Sequence, residues 1–148
     1  MIRARRARID DDEIIRLIKC ELIPLSHTAS PRDAQTIREL PRRLSEGVTL
    51  VSSRFKSSLP HGFIHFYTRG DRLLLDMLVV HPQHRGRQLG TKLLGTAEEH
   101  ARKAGCSSAT LFVDYSNPRA QRLYSRLGFQ TVRAYPDLRC YEMFKHLY

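Results

Sequence analysis

The sequence predicts an α/β domain built on a mixed sheet, and three observations predict it. Short β-prone runs between turn residues make an antiparallel meander, a strand, helix and strand from Leu73 to Val113 require a parallel pair, and about four amphipathic stretches supply helices for the faces.

Ile2 to Ile9 partly alternates apolar and basic residues and reads as a strand. Asp10-Asp11-Asp12-Glu13 follows, and acids suit the positive end of a helix, so a helix is expected from there. Ile14, Ile15, Leu17, Ile18 and Leu22 form its apolar stripe, and Pro24 ends it. A second helix is expected from Pro31 to Glu46, with Ser30 as N-cap, Pro31 at the first position, Gly47 as the stop and Pro41 kinking or dividing it.

Val48 to Ser53 and Phe63 to Thr68 read as strands on either side of the turn-rich Ser57-Ser58-Leu59-Pro60-His61-Gly62, and Arg69-Gly70-Asp71 makes the next turn. Leu73 to Val80 is almost unbroken in its apolar character, which predicts a central strand buried on both faces, and Pro82 stops it. Leu89, Leu93, Leu94, Ala97 and Ala101 then recur at helical spacing up to Gly105. Ala109 to Val113 is the strand parallel to it, Asn117-Pro118 opens a short helix closed by Gly128, and Phe129 to Ala134 with Arg139 to Phe144 make a closing hairpin.

A chain of 148 residues, 41% hydrophobic and 27% charged, fits one domain covering residues 1–148. No window is long and apolar enough for a membrane span, and Met1 to Arg8 lacks the apolar core of a signal peptide, so a cytoplasmic location is the expectation. Cys20, Cys106 and Cys140 are odd in number and widely spaced, which argues against a disulfide scaffold and against a metal site. The formal charge of +10 points to an anionic partner: a phosphorylated cofactor, an acidic protein or nucleic acid. The arginines are scattered rather than arranged in one stripe, which makes nucleic acid the weakest of the three.

The loop after Val80 narrows the choice. Arg85 and Arg87 bring positive charge, Gly86 and Gly90 let backbone approach an anion, and the following helix start offers unpaired N–H groups. Neither G-x-G-x-x-G nor G-x-x-x-x-G-K-[ST] is present, so dinucleotide and nucleoside triphosphate cradles are disfavoured. Further on, Tyr124 follows Asn117 by seven residues and so shares its helix face.

These two segments resemble the acyl-CoA signature of the GNAT (GCN5-related) N-acetyltransferase superfamily. Leu78-x-Val80-x-Pro82-x-x-Arg85-Gly86-Arg87-Gln88-Leu89-Gly90 is similar to its pyrophosphate motif, and Asn117-x-x-Ala120-x-x-Leu123-Tyr124-x-x-x-Gly128-Phe129 to its second motif. Gln88 departs from the pattern, standing where the family usually has a glycine. The resemblance implies the GNAT fold, with a V-shaped split between the strands ending near Val80 and Val113, and acetyl-CoA held in that split. Leu78, Val79 and Val80 would pair with the pantetheine arm, Arg85, Gly86, Arg87, Gln88, Leu89, Gly90 and Thr91 would hold the pyrophosphate, and Asn117 would contact the pantetheine or phosphate region or act as a plain N-cap.

The resemblance also implies direct acetyl transfer to a primary amine, with Tyr124 protonating the leaving thiolate. Asp76, an acid inside an apolar strand, is the first candidate for the base; period two puts it on the face of Leu74, Leu78 and Val80, and burial is expected to raise its pKa. A structural aspartate paired with an arginine is the other reading of Asp76, and His81, His84 and Asp114 are further candidate bases. A noncatalytic acyl-CoA sensor and a basic nucleic-acid-binding domain are the competing functions. Family habit suggests a homodimer, and the identity of the amine acceptor stays open.

Overall fold

The computed structural model of the chain describes residues 1–26 and 34–148. The first strand, β1 (Ile2–Ala4), is shorter than expected, because the first helix, α1, already begins at Ala7 and runs to Leu17. Arginine–carboxylate pairing explains the shift. Fully buried Asp10 accepts hydrogen bonds from Arg3 at 2.7 and 2.9 Å and from the backbone N–H of Arg6 at 2.7 Å, and so satisfies a donor at the helix start from within its first turns. Arg5 grips Asp11 in the same way. After Leu17 the helix widens into one π turn (Ile18–Leu22) and tightens into a 3₁₀ turn (Ile23–Leu25) that carries Pro24.

Helix α2 spans Ala34–Ser45; the expected cap Ser30 and first residue Pro31 lie outside the described residues. Pro41 does not divide it. Leu40 and Leu44, one turn apart and both buried, hold the helix against the sheet on each side of the missing N–H. At Gly47, φ is +79° and an added Cβ would lie 2.5 Å from the carbonyl oxygen of Phe66, so this stop admits only glycine.

Strands β2 (Val48–Ser53), β3 (Pro60–Arg69) and β4 (Arg72–Val80) form the antiparallel meander, helix α3 (Leu89–Lys103) crosses over, and β5 (Ser108–Asp114) pairs parallel with β4. Helix α4 (Pro118–Arg126) precedes the hairpin β6 (Gln130–Tyr135) and β7 (Cys140–His146), giving a seven-stranded sheet in the order β1-β2-β3-β4-β5-β7-β6. One core lies under α3 and α4, around Leu93, Leu94, Ala97, Leu111 and Phe129; the other lies under α1 and α2, around Ile14, Leu17, Leu40, Leu44 and Phe63.

Strand β4 serves both cores in succession rather than being buried evenly on both faces. Leu73 and Leu75 belong to the α3 side, whereas Met77 and Val79 belong to the α1–α2 side. A β-bulge makes the change: His65 pairs with Met77 and Phe66 with Leu75, which leaves Asp76 as the extra residue. The alternation is thereby reset, so Leu78 packs toward the α3 side and Asp76 no longer shares its face, against the period-two expectation.

The bulge also marks where the sheet divides. Pairing of β4 with β5 covers only Arg72 to Leu75 against Ser108 to Leu111, while β5 stays paired with β7 along its whole length. Beyond Leu75 the two parallel strands diverge into the V-shaped split, and among the described residues no strand pairs with the β5-facing edge of β4 from Asp76 to Val80.

Candidate active site

The loop leaving β4 is shaped by two residues with positive φ, Gly86 at 80° and Gln88 at 59°. Gln88 immediately precedes α3 rather than forming its first turn, in the left-handed conformation that a glycine adopts most readily. Its carbonyl accepts the first helical hydrogen bond, from the N–H of Lys92 at 3.0 Å, so the N–H groups of Leu89, Gly90 and Thr91 have no partner inside the helix. A Cβ on Gly90 would lie 3.5 Å from Leu123 and 3.8 Å from Val80, which shows how closely the start of α3 sits against α4 and the end of β4.

A cleft of about 550 Å³ opens in the split. Leu78, Val79, Val80, Arg85, Gly86, Gln88, Leu89, Gly90, Thr91, Asn117 and Tyr124 all line it, as the two motifs require. Arg87 does not line it; its charge acts instead on His61 and His84. Arg85 is on the wall but engaged, its Nη2 lying 2.9 Å from Glu21 of the π turn.

A smaller arm of about 230 Å³ continues past the first and shares Leu22, Leu25, Leu78, Asn117, Ala120 and Tyr124 with it. Tyr124 therefore stands at the junction of two chambers. Asp76 and Asp114 line the smaller arm only, among Ile18, Leu40, Met77 and Phe112. His81 and His84 line neither, because the 3₁₀ turn Pro82–His84 carries them to another hollow, where His84 stacks on His61 at 3.7 Å. Both histidines therefore lie outside the two arms.

Asn117 caps α4, its side-chain oxygen accepting from the N–H of Ala120 at 3.2 Å, and faces the cleft from that position. The Tyr124 ring meets Phe129 edge to face at 5.7 Å and is only 7% exposed. Burial pushes its phenol well above the ordinary tyrosine value, so it stays protonated and can act as a donor, not as a base.

Asp76 differs from the expectation in its protonation. Burial alone would raise its pKa, but hydrogen bonds from His65 at 2.7 Å and from Arg43 at 2.5 and 3.0 Å, together with their charges, pull the carboxyl below its usual value. Asp76 is paired with an arginine, Arg43 of α2. His65, which the sequence reading passed over, is fully buried and also contacts the carbonyl oxygen of Glu46 through Nε2 at 2.6 Å. Leu22, Leu25 and three arginines of α4 were also missed; for the arginines the signal was their spacing, whereas nothing local marks the leucines as cleft walls.

Residues 13–129 of the chain match the acetyltransferase (GNAT) family. The chain belongs to that family. An acetyltransferase of Agrobacterium fabrum is 40% identical to this GNAT protein over 76 residues, 51% of the chain and 53% of the relative, so the chain spans about half the length of that relative. The aminoalkylphosphonate N-acetyltransferase of Salmonella typhimurium is 28% identical over 85% of the chain and 83% of its own length. Among solved structures, the PaiA N-acetyltransferase of Thermoplasma acidophilum in complex with coenzyme A superposes with a TM-score of 0.75 at 18% identity, covering 99% of this chain and 98% of that one, a likeness of fold. Among the described residues no helix is long and apolar enough to cross a membrane.

Proposed function

We propose that this GNAT protein is an N-acetyltransferase that moves the acetyl group of acetyl-CoA to a primary amine by direct attack. The observation that carries the reading is the meeting of two arms at Tyr124: one walled by the free β4 edge and the start of α3, the other holding the carboxylates. Acetyl-CoA supplies an activated thioester. The backbone groups of Leu78 to Val80 pair with its pantetheine arm as an added strand would, and the amides from Leu89 to Thr91 hold its pyrophosphate. Gly86 and Gly90 keep that approach open.

The amine nitrogen forms the new C–N bond as the C–S bond breaks, with backbone donors polarising the carbonyl. The ammonium group first loses one proton to water so that its nitrogen can attack; Tyr124 gives its proton to the departing sulfur, and the second proton lost by the acylated nitrogen returns through water to the phenolate, restoring Tyr124. Asp76, held as a carboxylate, attracts and orients the incoming ammonium group and is a weak proton acceptor. The acceptor arm is small, at about 230 Å³, and sets the carboxylates of Asp76 and Asp114 among apolar walls, which favours a small amine, the class to which an aminoalkylphosphonate belongs, and the cytoplasm supplies acetyl-CoA.

A thermal-shift titration with acetyl-CoA followed by thiol release across an amine panel tests this. A shift with acetyl-CoA and thiol release with at least one primary amine is expected. Tight binding with no release on any amine would favour the sensor reading, and no shift would remove acetyl-CoA altogether.

A further inference from the structure

Helix α4 carries three arginines and no carboxylate in its nine residues. Arg119, Arg122 and Arg126 fall within about 60° of one another around the helix axis at 3.6 residues per turn, all three are exposed, and all three line the larger cleft. None has a carboxylate partner among the described residues, in contrast to Arg16 with Glu13, Arg43 with Asp76 and Arg102 with Glu98 on the other helices. Like charges at this spacing mildly oppose helix formation, and an anion lying against the stripe offsets that repulsion.

We propose that Arg119, Arg122 and Arg126 form a second phosphate site that takes the ribose 3′-phosphate of coenzyme A and makes the protein select CoA over its 3′-dephospho form. This rests on the acetyl-CoA reading above. The pyrophosphate is served from the opposite wall by the amides at the start of α3, and that wall is close, since Gly90 lies against Leu123 of α4. What remains on the nucleotide is one phosphate monoester, close to a full dianion at neutral pH. Planar guanidinium groups suit it, because each can donate two parallel hydrogen bonds to phosphate oxygens. Arg85 cannot supply this charge in full, being engaged by Glu21.

Calorimetric titration of the full chain with CoA and with 3′-dephospho-CoA at low salt tests the site, using the wild type and a triple variant in which Arg119, Arg122 and Arg126 are each changed to Gln. Glutamine keeps the helix propensity, and circular dichroism checks the fold. Wild type should bind CoA about tenfold or more tightly than dephospho-CoA, with the ratio shrinking as salt is added. The triple variant should bind both forms equally, at the wild-type affinity for dephospho-CoA. Equal binding of the two forms by wild type, or a preference that survives in the folded triple variant, would overturn the second site while leaving the acetyl-CoA reading intact. Failure of wild type to bind either form would overturn both.

Discussion

His65 and Asp76 face each other across the β-bulge that opens the sheet, with His65 Nδ1 2.7 Å from the carboxylate. Both ring nitrogens of His65 meet oxygen atoms, Nδ1 the carboxylate of Asp76 and Nε2 the carbonyl of Glu46. The contact ties the cleft to the core, because His65 is fully buried and Asp76 lines the smaller arm. The carboxyl pKa is lowered in the folded state, so this pair contributes stability above the ordinary aspartate pKa and loses it as pH falls through the depressed value. Asp76→Asn should therefore flatten the acid limb of a plot of Tm against pH and cost about 1–3 kcal/mol at neutral pH by leaving His65 short of its partner.

The same substitution separates orientation from base catalysis. Because the folded pKa of Asp76 lies below the usual carboxylate range, its titration falls under the pH at which the acid limb of kcat/KM is read. Asp76→Asn should lower kcat/KM about tenfold yet keep that limb in place. Disappearance of the limb in the variant would restore Asp76 as the base.

Tyr124→Phe should lower kcat by about two orders of magnitude, the ordinary yield of a positioned proton donor, while leaving the Kd of acetyl-CoA within about twofold. Burial raises the phenol pKa, so Tyr124 stays neutral past the ordinary tyrosine value and should add no alkaline limb below pH ~10. Its contribution to stability is complete below that value and is lost as pH rises toward the folded-state pKa. An unchanged kcat in stopped-flow thiol release would take the phenol out of the chemistry.

What the sequence made legible was mostly local. The stripe of Leu89, Leu93, Leu94, Ala97 and Ala101 specified α3 to within a residue, and its stop at Gly105 has φ of +92°. The bulge at Asp76 was hidden, because it depends on how β3 pairs with β4, and one residue of slip reverses every face beyond it. The early start of α1 was hidden for a similar reason, since Asp10 reaches back to Arg3 and the Arg6 N–H. Most of the cleft wall could be named from two motifs, but Leu22 and Leu25 enter it through irregular helical turns that no periodicity marks.

Gln88 holds a left-handed backbone at φ 59° and ψ 27° immediately before α3, a conformation that costs a side-chain-bearing residue about 1 kcal/mol. Gln88→Gly removes that cost and partly offsets it with the freedom glycine has in the unfolded chain, so Tm should rise by about 2 °C. A β-branched Gln88→Val should lower Tm by at least as much. The N–H groups of Leu89 to Thr91 survive both changes, and the acetyl-CoA affinity of Gln88→Gly should stay within about twofold in a titration followed by calorimetry.

Glu21 and Arg85 set the last prediction, because a carboxylate sits on the wall that is to receive phosphates. Their contact, 2.9 Å with the side chains 20% and 34% exposed, ties the loop to the π turn at a gain of about 0.5 kcal/mol or less, so neither single change should move Tm by much. Glu21→Gln keeps the volume, removes a negative charge and frees Arg85 to turn toward the cleft; acetyl-CoA should bind several-fold more tightly at low salt, and the gain should fade as salt screens it. Arg85→Gln should weaken binding by a similar factor, and the double variant should resemble Arg85→Gln, since without the guanidinium there is little for Glu21 to withhold. If Glu21→Gln instead weakens binding as much as Arg85→Gln does, the carboxylate holds Arg85 in its working position, and the ion pair belongs to the phosphate grip as a unit.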